Sequence, residues 1–131
     1  GPYVDEFEHR LDQYLGAGHA VALSAGTAAI HLGLVMAGVK PGDEVICQSL
    51  TFAASCNPIV YLGAKPVFID SEKETWNLDP SVLDIAIADR LKVTGKLPAA
   101  IVVVHLYGMP AKMDEVLEIG RRYGIPVAPS K

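Results

Sequence analysis

Short apolar runs with no polar residue inside them, each followed by a stretch of helical period, constrain this chain more than any other feature. Residues 45–47 read Val-Ile-Cys, residues 67–69 Val-Phe-Ile and residues 99–104 Ala-Ala-Ile-Val-Val-Val. A strand wet on one face alternates apolar and polar side chains, whereas an unbroken run fits a strand covered on both faces by helices in a parallel sheet. The pattern predicts strands over 19–23, 44–48, 65–69 and 99–105, and the start of another over 125–128. Helices are predicted over 5–15, from the glycine turn at 24–27 to about 36, over 52–62, from 79 or 80 to about 90, and over 112–123. The first carries Phe7, Leu11 and Leu15 at i, i+4 and i+8 with Tyr14 beside them; the last puts Met113, Val116, Leu117 and the stem of Arg121 on one side. The predicted fold class is therefore α/β, a mostly parallel sheet with helices on both faces. At 131 residues, without repeat or linker, the chain is one domain.

Composition removes several function classes. Half of the residues are apolar, enough to build a core. Eleven Lys and Arg against fifteen Asp and Glu leave a net charge of −4 and no basic stripe, which argues against nucleic acid as a partner. The longest apolar run is far shorter than the roughly 20 residues of a membrane helix, so no membrane partner is expected. Cys47 and Cys56 form neither a C-x-x-C pair nor a zinc set; they read as reduced core thiols, and with no secretory leader at Gly1 the expected address is cytoplasmic.

In open α/β sheets ligands sit beyond the carboxyl ends of the strands, so the residues following each strand are the candidates. After 19–23, Ser24-Ala25-Gly26-Thr27-Ala28-Ala29 sets a glycine and a hydroxyl at a helix start, where free N–H groups and the helix dipole favour an anion such as a phosphate. The same residues also make an ordinary N-cap and turn. They match neither the dinucleotide-binding nor the P-loop fingerprint. After 44–48, Ser49-Leu50-Thr51-Phe52 offers an aromatic face for a planar ligand or a core ring. Asn57 either reaches a ligand or caps its own backbone. After 99–105, His105 and Tyr107 either act on a ligand or serve structure. His9 and His31 have no partners in sequence for a catalytic set or a metal, and Glu72, Lys73 and Glu74 read as a solvated charge run.

These segments, taken together, resemble a known family. Ser24 to Leu32, Lys40-Pro41-Gly42-Asp43-Glu44-Val45-Ile46, Ser49-Leu50-Thr51-Phe52-Ala53-Ala54, Gly63-Ala64-Lys65-Pro66-Val67-Phe68-Ile69-Asp70 and the stretch from Val104 to Asp114 resemble, in order and spacing, the DegT-type sugar aminotransferases. Those are pyridoxal-phosphate enzymes of fold type I. The resemblance implies pyridoxal 5'-phosphate as cofactor, with its phosphate at Gly26 and Thr27, its ring under Phe52, and Asn57 and His105 in supporting positions. It implies a nucleotide-linked keto sugar and an amino donor such as glutamate as substrates, and a homo-oligomer.

The departures from the family pattern carry equal weight. The family strand matching 125–128 runs into an Asp-bearing stretch, where this chain reads Ala128-Pro129-Ser130-Lys131. The family's Schiff-base lysine comes later still. Pro-Ser-Lys resembles the tripeptide around that lysine, yet Lys131 lies only four residues after Val127 and reads as a solvated terminal residue. Residues 1–131 are thus expected to be a single partial α/β domain, the amino-terminal half of the family's large domain, with no transaminase activity of its own. The rival readings are a sugar dehydratase of the same family, in which a His replaces the lysine, a non-catalytic remnant that binds phosphate ligands or a partner chain, and a purely structural domain.

Overall fold

The computed structural model describes residues 1–16 and 18–130. Helix α1 (Pro2–Leu15) and helix α2 (Gly26–Met36) precede strand β1 (Glu44–Gln48), helix α3 (Asn57–Tyr61), strand β2 (Lys65–Ile69), helix α4 (Pro80–Thr94), strand β3 (Ala100–Val104), helix α5 (Met113–Tyr123) and strand β4 (Val127–Ser130). The four strands pair in parallel in the order β2-β1-β3-β4, with Ile46 beside Val67 on one side and beside Ile101 on the other.

The strand side chains divide by parity, and each set meets its own helices. Ile46, Ile101 and Val103 face Leu83 and Ile87 of α4 and Val116 and Ile119 of α5. Val45, Cys47, Ala100 and Val102 face Ile30 and Leu34 of α2 and Ile59 of α3. Burial on both faces is why β3 has no polar residue. The Cys47 thiol is fully buried, and burial, with the charge of Cys56 adding to it, pushes it up to about 12; Cys56 is only half-buried. On α5 the helix comes so close to β4 that a Cβ on Gly120 would stand 2.8 Å from Val127 Cγ2, which explains a glycine inside that helix.

Several sequence expectations need correction. Residues 19–23 form no strand: they bond to no neighbouring strand, and Val21 and Leu23 are exposed. An apolar run becomes a strand only when a ladder partner lies beside it, and the observed tie is from the Ala22 N–H to Glu8 Oε1 (2.7 Å). The helix predicted over 52–62 is a 3-10 turn at Ala53–Ser55 followed by α3, with Phe52 outside at extended φ and ψ. Helix α1 starts at Pro2 and buries no residue, so its apolar stripe is uncovered among the described residues. On α5 the inward arc is Val116, Ile119 and Gly120; Leu117 and Arg121 point outward. No helix among the described residues is long and apolar enough to cross a membrane, and no His/Cys/Asp/Glu group there could hold a metal.

Candidate functional site

All four strands run the same way, so their carboxyl ends form one edge, and two fully buried polar side chains organise it. Gln48, the last residue of β1, accepts from the Leu78 and Val104 N–H groups through Oε1 (both 3.3 Å) and donates from Nε2 to the Leu50 carbonyl (2.8 Å). Asn77 donates from Nδ2 to the Met109 carbonyl (2.8 Å) and accepts from the Leu106 N–H (2.8 Å). It thus ties the loop after β2 to the loop after β3.

In the loop after β2, Lys73 and Glu74 are exposed as expected of a solvated charge run, but Glu72 is not. Glu72 is buried, and its carboxylate accepts from the Glu74 and Thr75 N–H groups (2.7 Å each) and from the Thr75 hydroxyl. The hydroxyl bond is the largest cause that draws the Glu72 pKa down to about 2, with the two backbone donors and Lys112 adding to it. Lys112 Nζ lies 2.7 Å from Glu74 and 3.6 Å from Glu72, which fastens the loop to the start of α5. Loop composition predicts exposure on average; here the carboxylate turns inward to satisfy N–H groups that the tight turn leaves unpaired.

Between these loops lies a cleft of about 470 Å³ whose wall includes Leu50, Phe52, Trp76, Leu106, Tyr107 and Met109. Its Phe52 and Tyr107 rings meet edge to face at 6.4 Å between centroids. Trp76 (φ 63°) and Tyr107 (φ 52°) are the non-glycine residues of positive φ among the described residues. For bulky side chains that conformation costs about 1–3 kcal/mol each and persists only where the surroundings impose it. Here Glu72 and Asn77 impose it.

Helix α2 starts without a side-chain cap, as α1, α3 and α5 also do. Its C-terminal end leads through residues 40–43 to the amino end of β1, and it packs on the 3-10 turn that follows β1. Its N-terminus therefore lies toward the carboxyl edge. The N-cap is Ala25, no side chain caps the helix, and its first turn holds no acidic residue. A Cβ on Gly26 would meet no heavy atom within 4 Å, and Thr27 is half-buried beside it.

The residues singled out from the sequence fall in two places. Phe52, 70% exposed, lines the cleft with Tyr107, while Gly26 and Thr27 open α2. Asn57 is half-buried at the first position of α3 and does not cap that helix; the N-cap is Cys56, whose thiol approaches Asn57 Oδ1 at 4.0 Å. His105 is half-buried, and its Nδ1 accepts from the Ala111 N–H (3.0 Å), which leaves the ring proton on Nε2. Lys131 lies outside the described residues. Sequence reasoning missed Gln48, Asn77 and Trp76: a Gln ending an otherwise apolar strand was a usable signal, whereas nothing in the 71–78 stretch marks the Asn as buried.

Comparison with known proteins places these features in a family. Residues 1–129 match the DegT/DnrJ/EryC1/StrS aminotransferase family. The chain is 50% identical over 127 residues to EpsN of Bacillus subtilis (strain 168), covering 97% of this chain and 32% of that protein. To the GDP-perosamine synthase of Caulobacter vibrioides it is 45% identical, covering 97% and 32%. The crystal structure of NtdA from Bacillus subtilis with bound cofactor PMP superposes with a TM-score of 0.89 at 35% identity, over 99% of this chain and 28% of that one. The chain thus spans about a third of the length of the relatives it matches. With its parallel α/β sheet and its five ordered motifs, this chain belongs to the DegT/DnrJ/EryC1/StrS aminotransferase family.

Proposed function

We propose that this chain builds the phosphate seat and the ring-stacking face for pyridoxal 5'-phosphate in a sugar aminotransferase. The observation that carries the reading is the bare start of α2: Ala25 leaves the first N–H groups unclaimed, and the ground above Gly26 is open. Those donors, the Thr27 hydroxyl and the helix dipole form a set that suits a phosphate dianion. The cofactor therefore fits the residues present. Support from relatives lies in the PMP bound to NtdA.

In this reading Gly26 and Thr27 hold the phosphate, and Phe52, exposed beyond β1, fixes the plane of the ring. When bound, the cofactor supplies an electron sink for the bond broken at the substrate's amine carbon. His105, whose Nδ1 accepts from the Ala111 N–H, and Asn57, at the first position of α3, hold supporting positions in this reading. The whole protein moves an amino group from a donor such as glutamate to a nucleotide-linked keto sugar, in keeping with the name of a relative 42% identical to this chain, the UDP-2-acetamido-2-deoxy-3-oxo-D-glucuronate aminotransferase of Pseudomonas aeruginosa. The 131 residues form one partial domain that supplies the seat without performing the transfer.

The test is titration of the protein with pyridoxal 5'-phosphate, followed by cofactor absorbance. Thr27→Val and Phe52→Ala should each weaken binding by about tenfold, the worth of one charge-assisted hydrogen bond or one ring stack. Unchanged affinity in both variants would end the reading.

A further inference from the structure

We propose that Gln48 is a positioning residue for the ring of the cofactor: its carboxamide, at the floor of the crevice between β1 and β3, sets where Phe52 stands relative to His105. The proposal rests on the reading above for what Phe52 does. The placement of Gln48 stands on this chain alone, because its side chain is fully buried and its amide bonds to three backbone groups of the same domain.

The crevice follows from the strand order. In β2-β1-β3-β4 the chain leaves β1 toward β2 on one side and leaves β3 toward β4 on the other. The two connections also take opposite faces: Ile59 of α3 packs with Val45 and Cys47, whereas Val116 and Ile119 of α5 pack with Ile46 and Ile101. Connections that part in this way open a gap beyond the carboxyl ends of the two strands, where ligands of such sheets bind. The paired residues of β1 and β3 end at Cys47 and Val102. Beyond that pair Gln48 replaces the backbone ladder with its side chain and takes the N–H of Val104, the residue before His105.

One amide therefore serves three strand exits. Its oxygen holds the Val104 and Leu78 N–H groups, and its nitrogen holds the carbonyl of Leu50, two residues before Phe52. The other bonds of this segment point elsewhere. The Ser49 N–H donates to the Ile69 carbonyl of β2 (2.9 Å); the Thr51 hydroxyl pairs with the Ser55 hydroxyl, and the Phe52 carbonyl accepts from the Ser55 N–H, both within the turn that follows (2.9 Å each). Among the described residues, the Leu50 bond to Gln48 is thus the hydrogen bond that refers Phe52 to β3 and so to His105. A buried amide with three partners holds them in one geometry, and an aromatic platform helps binding only where it meets the ligand ring at stacking distance.

The test is a set of double-mutant cycles read by pyridoxal 5'-phosphate titration. Gln48→Met is close in volume but lacks the amide. It should weaken cofactor binding by at least about fivefold in the parent and by the same factor beside Thr27→Val, but by less than about twofold beside Phe52→Ala, because a residue that acts through another loses its effect when that other is removed. Unchanged affinity in the parent overturns the positioning role. So does an equal loss beside Phe52→Ala, which would mark a general loosening of the edge. Urea unfolding checks that each variant is folded. If Gln48→Met does not fold, Gln48→Asn, which keeps an amide for the buried N–H groups but is one methylene short of spanning both sides, runs the same cycles under the same criteria. The two readings fail differently. Affinity untouched by both Thr27→Val and Phe52→Ala ends the cofactor reading and this role with it; losses in those two with none in Gln48→Met end the positioning role alone.

Discussion

Two helices of this domain begin in opposite ways. Helix α4 starts behind Asp79, whose carboxylate accepts from the Ser81 N–H (2.8 Å), the Ser81 hydroxyl (2.6 Å) and the Val82 N–H (3.5 Å), with Pro80 filling the first helical position. Helix α2 starts behind Ala25, which can accept nothing through its side chain. Both helices pack against the sheet and both supply fully buried leucines, Leu83 and Leu34. On the reading proposed above, the difference lies in what their N-terminal donors are for. At α4 the chain satisfies its own N–H groups through a side-chain cap, which α1, α3 and α5 lack as α2 does. At α2 it leaves them free on the edge where ligands of parallel sheets collect.

If that contrast is real, removing the cap of α4 must cost stability and removing nothing comparable is possible at α2. Asp79→Ala should destabilise the domain by about 1–2 kcal/mol, the usual worth of a good N-cap with more than one acceptor bond. Urea unfolding at neutral pH measures it, and a loss below about 0.3 kcal/mol would show that the cap is ornamental.

Acid should distinguish the two regions next, because the self-satisfied loops rely on carboxylates. The hydrogen bond from the Ser81 hydroxyl, with two backbone donors, holds Asp79 below its ordinary range, and Glu72 is drawn from 4.5 to about 2. A carboxylate whose folded pKa is depressed contributes stability above its unfolded value and loses it as pH falls toward the folded one. The contribution of Glu72 should therefore be complete above about pH 5, decline from there and be gone near pH 2. In thermal unfolding across that window, Glu72→Gln should flatten the fall in Tm relative to the parent. An unchanged slope would place the acid sensitivity elsewhere.

The sheet was legible because its signal is local. Strands over 44–48 and 65–69 match β1 and β2 end to end, since unbroken apolar runs flanked by glycine and polar residues have few other uses. The 19–23 run carried the same kind of signal and failed, because a strand also needs a neighbour to bond and periodicity says nothing about neighbours. Helix α5 shows a related limit. Met113, Val116 and Leu117 form an apolar arc on paper, yet the sheet meets the arc of Val116, Ile119 and Gly120, and close approach at Gly120 decides the rotation. The chemistry split the same way. Gly26 and Thr27 stood out after a run expected to be a strand and Phe52 after β1, whereas the burial of Asn77 depends on the Leu106 N–H, 29 residues away, and that of Glu72 on a tight turn of Glu74 and Thr75 that composition does not reveal.

The smallest expected change in stability is also the sharpest probe of the contrast. Ala25 has extended backbone (φ −161°, ψ 158°), a region compatible with an N-cap, so Ala25→Asp can be accommodated without moving the helix. The new carboxylate would accept from the free N–H groups of the first turn and sit at the positive end of the dipole. Stability should rise by about 0.5–1 kcal/mol. The same carboxylate would occupy the donors proposed for the phosphate and repel its charge, so affinity for pyridoxal 5'-phosphate should fall by at least about tenfold. A helix start that serves only folding would gain stability with no loss of ligand. One kept bare for an anion must trade the first for the second, and calorimetry and cofactor titration on this single variant measure both halves of the trade.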